Sequence, residues 1–417
     1  MQKVSVSILL LLALWQEVSA QDINAPYSTY GIGDIDFRYY DKSAGMSGTS
    51  MALLSTPSNI LFKNPASLSG LERSNVLVNG VFVGKTVKYT GDPIGVGTDN
   101  TARDFAVKHF SVAMKLNKHW ASAFSITPFS YVSYSYRSNL NVEGAEENYG
   151  VVYEGDGGLY NVGWTNSFQL NRNFSLGVRS SFIFGSINQT ESLESSLLTS
   201  SITTKKTDYY HNFRFELGGL YQGKLSKKTM LSLGGKVTTK SDLNRQQSLL
   251  MTEGSTEILN DKVVETGKFT LPWSYDMGLA VTNNGRTTYA VDYSYEDWAS
   301  SKMKGNYWSL VNSQRLSAGI QFSQQVEAWN RRFEKSYWQF GGFVGRSYLR
   351  VKNEPIEEFG GTVGYGGYAG GRLAYGISLE AGRRGTTNRS LIREDFVQLT
   401  LRFSYREFLY SKGRKYD

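Results

Sequence analysis

Apolar and polar residues alternate with a period of two through almost the whole chain after residue 75, and this limits the kind of wall the chain can build. Phe213, Phe215 and Leu217 alternate with Arg214, Glu216 and Gly218. Tyr289, Val291, Tyr293 and Tyr295 alternate with Ala290, Asp292, Ser294 and Glu296, and Val397 to Tyr405 repeats the pattern against Gln398 to Arg406. Successive side chains of a strand point to opposite faces, so each run has one apolar face and one face that carries charge. A lipid-facing exterior around a wet, ion-paired lumen accommodates that arrangement. A water-soluble sandwich does too, and alternation alone does not separate the two.

The links between runs do separate them. Strands are expected near 75–90, 104–116, 119–137, 158–170, 174–190, 207–225, 229–243, 263–282, 286–297, 313–324, 336–350, 358–366, 371–384 and 395–409. Links after even-numbered strands are mostly turns, such as Asn117-Lys118, Asn171-Arg172-Asn173 and Asn283-Asn284-Gly285. Links after odd-numbered strands are long and polar (91–103, 138–157, 191–206, 244–262, 298–312), and 325–335 is an exception on the short side. Sorting long and short links to opposite ends is the habit of outer-membrane barrels, whose strand number is even. The expected fold is all-β: a transmembrane antiparallel β-barrel of about 14 strands over 75–410, followed by a periplasmic tail, 411–417. The 43 Gly, 27 Tyr and 22 Phe against 7 Pro suit twisted strands with aromatic girdles. Past residue 20 no apolar run approaches the roughly 18 residues of a spanning helix.

At the N-terminus Lys3, an apolar core from Val4 to Leu14 and Val18-Ser19-Ala20 have the order of a cleavable secretory signal, 1–20. The absence of Cys excludes disulfides, thiolate metal sites and a lipid anchor on cysteine. The net charge of +8 is scattered rather than clustered, so no nucleic-acid partner is expected. Residues 21–74 lack strand patterning and are rich in Gly, Ser and Asn. They read as a leader or as a hatch folded back into the lumen, and the small-residue run Ser43 to Gly48 with apolar Met51 to Leu54 favours the hatch.

Enzyme chemistry finds no constellation. His109, His119 and His211 have no partner at metal-ligand spacing, and nothing ties a serine to any of them, so no catalytic residue, metal or cofactor is expected. Gly364 to Ala369 superficially resembles a dinucleotide fingerprint but lacks the following helix and reads as a strand end. The acidic group Glu143, Glu146, Glu147, Glu154 and Asp156 reads as a solvated loop in preference to a divalent-cation site. Pro128, inside the third strand, cannot donate a ladder hydrogen bond, and every strand of a closed barrel is central. A break facing lipid must be covered by protein or lead to a cavity; the alternative is a simple bulge near the rim.

Two ordered blocks resemble the FadL/TodX-type transporters of long-chain fatty acids and hydrophobic aromatics. The first is Ser43 to Ala52 followed by Asn64-Pro65-Ala66-Ser67-Leu68. The second is Phe269-Thr270-Leu271-Pro272-Trp273 followed by the strand Tyr289 to Trp298. The resemblance implies a fourteen-stranded barrel with an N-terminal hatch gated around Asn64, Pro65 and Ala66. It also implies a lateral opening at a kink in the third strand, where Pro128 and Phe129 fall. Segments 191–206, drawn as a short amphipathic helix, and 244–262 correspond to external capture loops with Leu193, Leu197, Leu198, Leu249 and Leu250. Loop residues packing on each other is the equal alternative. The function implied is a passive channel in the outer membrane of a Gram-negative bacterium for hydrophobic small molecules such as long-chain fatty acids, with outer-membrane lipids as surroundings. The rival on the same fold is a non-transporting barrel that docks secreted proteins or a secretion machine, with a periplasmic or secretion partner. Two features depart from the family: an extension at Ala25 to Gly33, and lumen-facing charges expected at Arg214, Glu216, Lys236, Asp292, Glu296 and Arg402. A transporter needs an apolar path past the hatch, whereas a docking barrel is free to be sealed.

Overall fold

The computed structural model describes residues 25–36, 38–73, 75–91, 100–140, 149–194, 200–328, 331–369 and 371–408. The expected signal (1–20) and tail (411–417), and with them Leu197, Leu198, Glu143, Glu146 and Glu147, lie outside the described residues. Fourteen antiparallel strands form the wall. They are β1 (Asn75–Gly91), β2 (Thr101–Lys115), β3 (Trp120–Leu140), β4 (Tyr149–Gln169), β5 (Phe174–Glu194) and β6 (Ile202–Lys224). Next come β7 (Thr229–Thr238, continued as Ser241–Glu253), β8 (Thr256–Leu271, continued as Ser274–Asn283) and β9 (Thr287–Glu296). The last five are β10 (Ser313–Ala328), β11 (Arg331–Val351), β12 (Glu354–Ala369), β13 (Leu373–Gly385) and β14 (Ile392–Phe408). β14 pairs with β1 from Ile392 opposite Gly91 to Phe408 opposite Asn75, which closes the sheet and leaves no edge there.

Period-2 patterning orients the wall as the alternation requires. Phe213, Phe215, Leu217, Tyr289, Val397 and Leu399 are exposed on the outer face, while Arg214, Glu216, Lys236, Asp292 and Arg402 are buried inside. The links sort to two ends. At one end they span two to four residues (116–119, 170–173, 225–228, 284–286, 329–330, 370–372). Three of these turns share one device: a side-chain oxygen accepts from the backbone two and three residues on. Asn117 Oδ1 takes the His119 and Trp120 amides, Asn171 Oδ1 those of Asn173 and Phe174, and Ser226 Oγ those of Lys228 and Thr229. At the other end the links are mostly longer, and 297–312 includes a 3₁₀ turn (Trp298–Ser301).

Several expected loops are strand instead. The 325–335 link shrinks to 329–330 because β10 and β11 run on through it, which removes the exception on the short side. Residues 244–262 form a hairpin turning at Gly254-Ser255, so Leu249 and Leu250 sit on a strand opposite Lys262 and its neighbours. β3 extends to Leu140 and β4 starts at Tyr149, within the expected 138–157 loop. In place of an amphipathic helix, Ser192 and Leu193 belong to β5 and Ile202 to β6. Gly364 to Ala369 lies in β12, regularly paired with β13. The physical reason is common to all. A transmembrane strand needs about 9–11 residues, yet β3, β4 and β5 have 21 each and β6 has 23, against 10 in β9. Beyond the lipid both faces of a strand meet water, and the apolar alternation that marks a strand in sequence disappears.

Candidate functional site

The N-terminal segment meets inward-facing groups of opposite walls. Asn64 caps a 3₁₀ turn (Pro65–Gly70), its Oδ1 accepting from the Ala66 amide at 3.0 Å while its Nδ2 donates to Met51 O and to Gly219 O of β6, both at 2.9 Å. Pro65 suits the first position of such a turn, where no N–H is needed. Ser167 Oγ of β4 donates to Ala66 O at 2.9 Å, and Arg179 of β5 to Phe62 O at 2.7 Å. On the far side Thr362 of β12 donates to Gly45 O at 2.9 Å. Asp292 of β9 accepts from the Ser50 and Met51 amides and from Lys63 at 2.9 Å.

Glycines in the wall make the fit possible, and sequence reasoning missed them. A Cβ at Gly177 would lie 2.3 Å from Ala66 N, one at Gly218 would lie 2.2 Å from Asn64 Oδ1, and one at Gly234 would lie 2.0 Å from Met51 O. The available signal was glycine recurring at inward positions of otherwise regular strands, where it marks close approach of another backbone.

The interior has three levels. At the short-link end Ile60, Phe62, Leu68 and Leu71 pack on Leu77, Ala113, Ala121 and Ala123. At the other end Tyr27, Ile32 and Ile35 join an apolar cluster with residues from much of the wall, in which the Trp298 ring lies 4.8 Å from that of Tyr348. Between them the lumen is charged. Lys236 Nζ sits 3.5 Å from Glu216, 3.3 Å from Asp276 and 2.8 Å from the Tyr39 hydroxyl. Arg38 reaches Glu380 at 3.0 Å, and Arg179 pairs with Glu216 at 3.4 Å. Glu296 accepts from the Trp298 indole at 2.6 Å. A cavity of about 850 Å³ occupies this level, lined by such charges and also by Pro128, Phe129 and Tyr131.

That cavity reaches the wall where two strands part. β2 and β3 pair only from Phe110 opposite Ile126 to Lys115 opposite Ala121. Both strands are irregular where pairing stops: Lys108 is skipped in the β1–β2 register and Phe129 in the β3–β4 register. A bulge bends and over-twists its strand, so two bulges side by side, with Pro128 supplying no N–H, turn the strands apart. On the next strands Gly158 (φ 152°) and Gly185 (φ 151°) adopt backbone angles that side-chain-bearing residues avoid. Phe105 and Val107, exposed on the outer face of β2, also line the cavity.

The extension at Ala25 to Asp36 lies along the free edge of β3. Ala25 N donates to Ser133 O at 2.7 Å, Ser133 N to Ser28 Oγ at 3.1 Å, and Asp36 N to Phe129 O at 3.1 Å. Asp34 and Ile35 pair in register with Tyr131 and Ser130. Asp34 is clamped by Arg384, with Nη2 at 2.7 Å, and accepts from the Tyr131 hydroxyl at 2.8 Å. Burial pushes the Asp34 carboxyl up, but the Arg384 guanidinium, together with Lys85 and the Tyr131 hydroxyl, outweighs it and holds the group below the usual carboxylate range. Lys108 Nζ stands 3.7 Å from Asp36.

The expected site residues thus fall in three places. Asn64, Pro65 and Ala66 seat the N-terminal segment on β5 and β6, Pro128 and Phe129 stand at the end of the β2–β3 pairing, and Leu193, Leu249 and Leu250 lie on strands β5 and β7 that rise past the belt. Asp34 and Arg384 are 350 positions apart, and no sequence pattern links them.

A closed fourteen-stranded barrel with an apolar outer belt and a charged lumen defines an integral membrane β-barrel with the fold of the outer-membrane hydrocarbon channels. A Pseudomonas aeruginosa FadL homologue superposes with a TM-score of 0.61 at 13% identity, covering 91% of this chain and 100% of that one. The P. putida toluene transporter TodX gives 0.59 at 17% identity, over 90% and 99% of the two chains. CymD, a monoaromatic hydrocarbon channel, gives 0.54 at 14%, over 87% and 96%. At such identities the likeness shows the fold. No curated protein matches the sequence. The family model described as BamG matches residues 1–417, and the chain belongs to the BamG family.

Proposed function

We propose that this protein is a passive outer-membrane channel of a Gram-negative bacterium that exchanges a hydrophobic small molecule between its lumen and the membrane through the β2–β3 seam, with residues 21–74 as its hatch. The observation that carries this reading is the arrest of β2–β3 pairing at Phe110 and Ile126, where the lumen cavity meets the wall. Neighbours in fold that are named toluene transporter or hydrocarbon channel support it. In this reading the short links face the periplasm and the long ones the outside. Long-chain fatty acids are one substrate class of suitable chemistry, with Leu193, Leu197, Leu198, Leu249 and Leu250 as capture candidates.

The test is Pro128→Val, which restores an N–H and a strand-favouring side chain at the break. Uptake of labelled oleate and of toluene by whole cells should fall sharply at unchanged surface level, while Pro128→Gly keeps most of it. Equal uptake by Pro128→Val and wild type would remove the seam from the mechanism.

A second reading, a barrel that docks secreted proteins or a secretion machine, is favoured by a different observation. Among the described residues apolar clusters lie at both ends of the lumen and ion pairs cross the middle, an arrangement that suits a sealed barrel better than a continuous apolar path. A protein partner that co-purifies with the barrel, together with unchanged uptake of both probes when the gene is deleted, would favour that reading.

A further inference from the structure

We propose that the outer face of β13, β14, β1 and β2, just past the apolar belt, is a binding site for a multiply phosphorylated, acylated lipid of the outer leaflet. The site rests on the outer-membrane placement given above and not on transport.

Four cations converge there from four neighbouring strands. Arg383 of β13 is opposite Asp395 of β14, Asp395 is opposite Lys88 of β1, and Arg103 of β2 is opposite Thr86, two residues from Lys88 on the same strand. Arg393 stands two residues from Asp395 on β14. One carboxylate serves two of these groups: Arg383 Nε donates to Asp395 Oδ1 at 2.6 Å and Arg393 Nε to Oδ2 at 3.1 Å. Lys88 and Arg103 are exposed and have no ion pair among the described residues. The cluster therefore keeps a positive excess while the Arg383 and Arg393 guanidinium groups are held in place, an arrangement suited to phosphate oxygens.

Its height in the wall says which phosphate. Two residues along a strand is roughly 6.6 Å, and that step leads from Arg103 to Phe105, and from Asp395 to Val397, both exposed to the surroundings of the belt. Val107, Leu399, Leu379 and Ile377 continue the apolar surface below. A ligand that satisfies both levels has clustered phosphates directly above several acyl chains. The sector differs from the outer face of β4 and β5, where Glu154 and Asp156 are exposed and Asn188 donates to Asp156 at 2.8 Å, a surface that repels phosphate.

The experiment uses the full-length barrel in detergent, titrated with hexa-acylated bisphosphoryl lipid A and followed by native mass spectrometry. Combining Lys88→Gln, Arg103→Gln, Arg383→Gln and Arg393→Gln should weaken binding by at least about tenfold, since each surface cation contributes on the order of a fivefold factor toward anionic lipid. Combining Lys205→Gln and Lys268→Gln, exposed cations on β6 and β8, should leave binding unchanged. Monophosphoryl lipid A should bind the wild-type protein several-fold more weakly, an arm that needs no variant to fold. Equal binding by wild type and the four-site variant, or phosphatidylglycerol binding as tightly as lipid A, would overturn the assignment. Uptake through the seam is untouched by these outcomes, so the two proposals fail separately.

Discussion

Two seams of this wall are built from the same kind of strand and behave oppositely. The β14–β1 seam joins residues more than 300 positions apart, yet it pairs along all 17 residues of β14. The β2–β3 seam joins neighbours linked by four residues, 116–119, yet pairs only over Phe110–Lys115. Sequence separation sets the entropy of bringing strands together, but it does not decide how far they stay together. Local irregularity does: β14 has no skipped residue against β1, whereas β2 and β3 carry bulges at Lys108 and Phe129 beside a proline. The broken seam is then finished by another part of the chain, the segment Ala25 to Asp36, instead of by its own partner strand.

The sharpest way to break this comparison is to put a proline in each seam. Leu399→Pro removes a ladder hydrogen bond from a strand paired on both sides at the level of the belt, leaving a backbone group that costs several kcal/mol in lipid. The heat-modifiable, SDS-resistant band of the folded barrel should be lost. Ser133→Pro deletes only the donor to Ser28 Oγ, a bond contributing about 1 kcal/mol, and the folded band should persist. Loss of the band in both variants would mean that the two seams are equivalent.

A smaller effect is expected at the clamp. Asp34→Ala leaves the buried Arg384 with Glu394 alone, at 3.8 Å, and stranding half of a buried ion pair costs about 3 kcal/mol. Residues 25–36 should become sensitive to added protease while the barrel band survives. In the wild type the clamp works through a carboxyl held below its unfolded value. Its contribution is therefore complete above about pH 4 and is lost only as pH falls through the lowered value. Protease resistance of the segment should stay flat from neutral pH down to that point, and loss of protection near pH 6 would show that another group governs it.

The smallest effect belongs to the short-link turns. Asn171→Ala removes an oxygen that accepts two amides and should lower the unfolding midpoint in urea by an amount equivalent to about 1 kcal/mol. The strand pairing and the folded band should not change.

What the sequence made legible follows the lipid. Where one face meets hydrocarbon and the other the lumen, as at Phe213 to Leu217 or Val397 to Tyr405, alternation located the strand and assigned its faces. Above that level the same strands continue through Gln246, Ser248 and Thr252 with no apolar rhythm, and they read as loops. Pro128 was visible because proline changes backbone chemistry wherever it stands. The bulge at Lys108 was not, since an extra residue leaves no mark in composition. Asn64-Pro65-Ala66 was legible as a motif, but its seat was not, because Gly177 and Gly218 read only as weak points in strands.

Those seats have a mechanical consequence. A strand glycine contributes no side chain to hold its neighbours and loses more conformational freedom on folding than any other residue, a penalty of about 0.5–1 kcal/mol relative to alanine. Here the missing contacts at Gly177, Gly218 and Gly234 are supplied by Ala66, Asn64 and Met51 of the N-terminal segment. As the hatch proposed above, the segment would stiffen the wall as well as occupy the lumen. With residues 21–74 deleted, the lumen would be wider and the wall softer along β5, β6 and β7, so the single-channel conductance should rise and fluctuate among levels instead of settling at one.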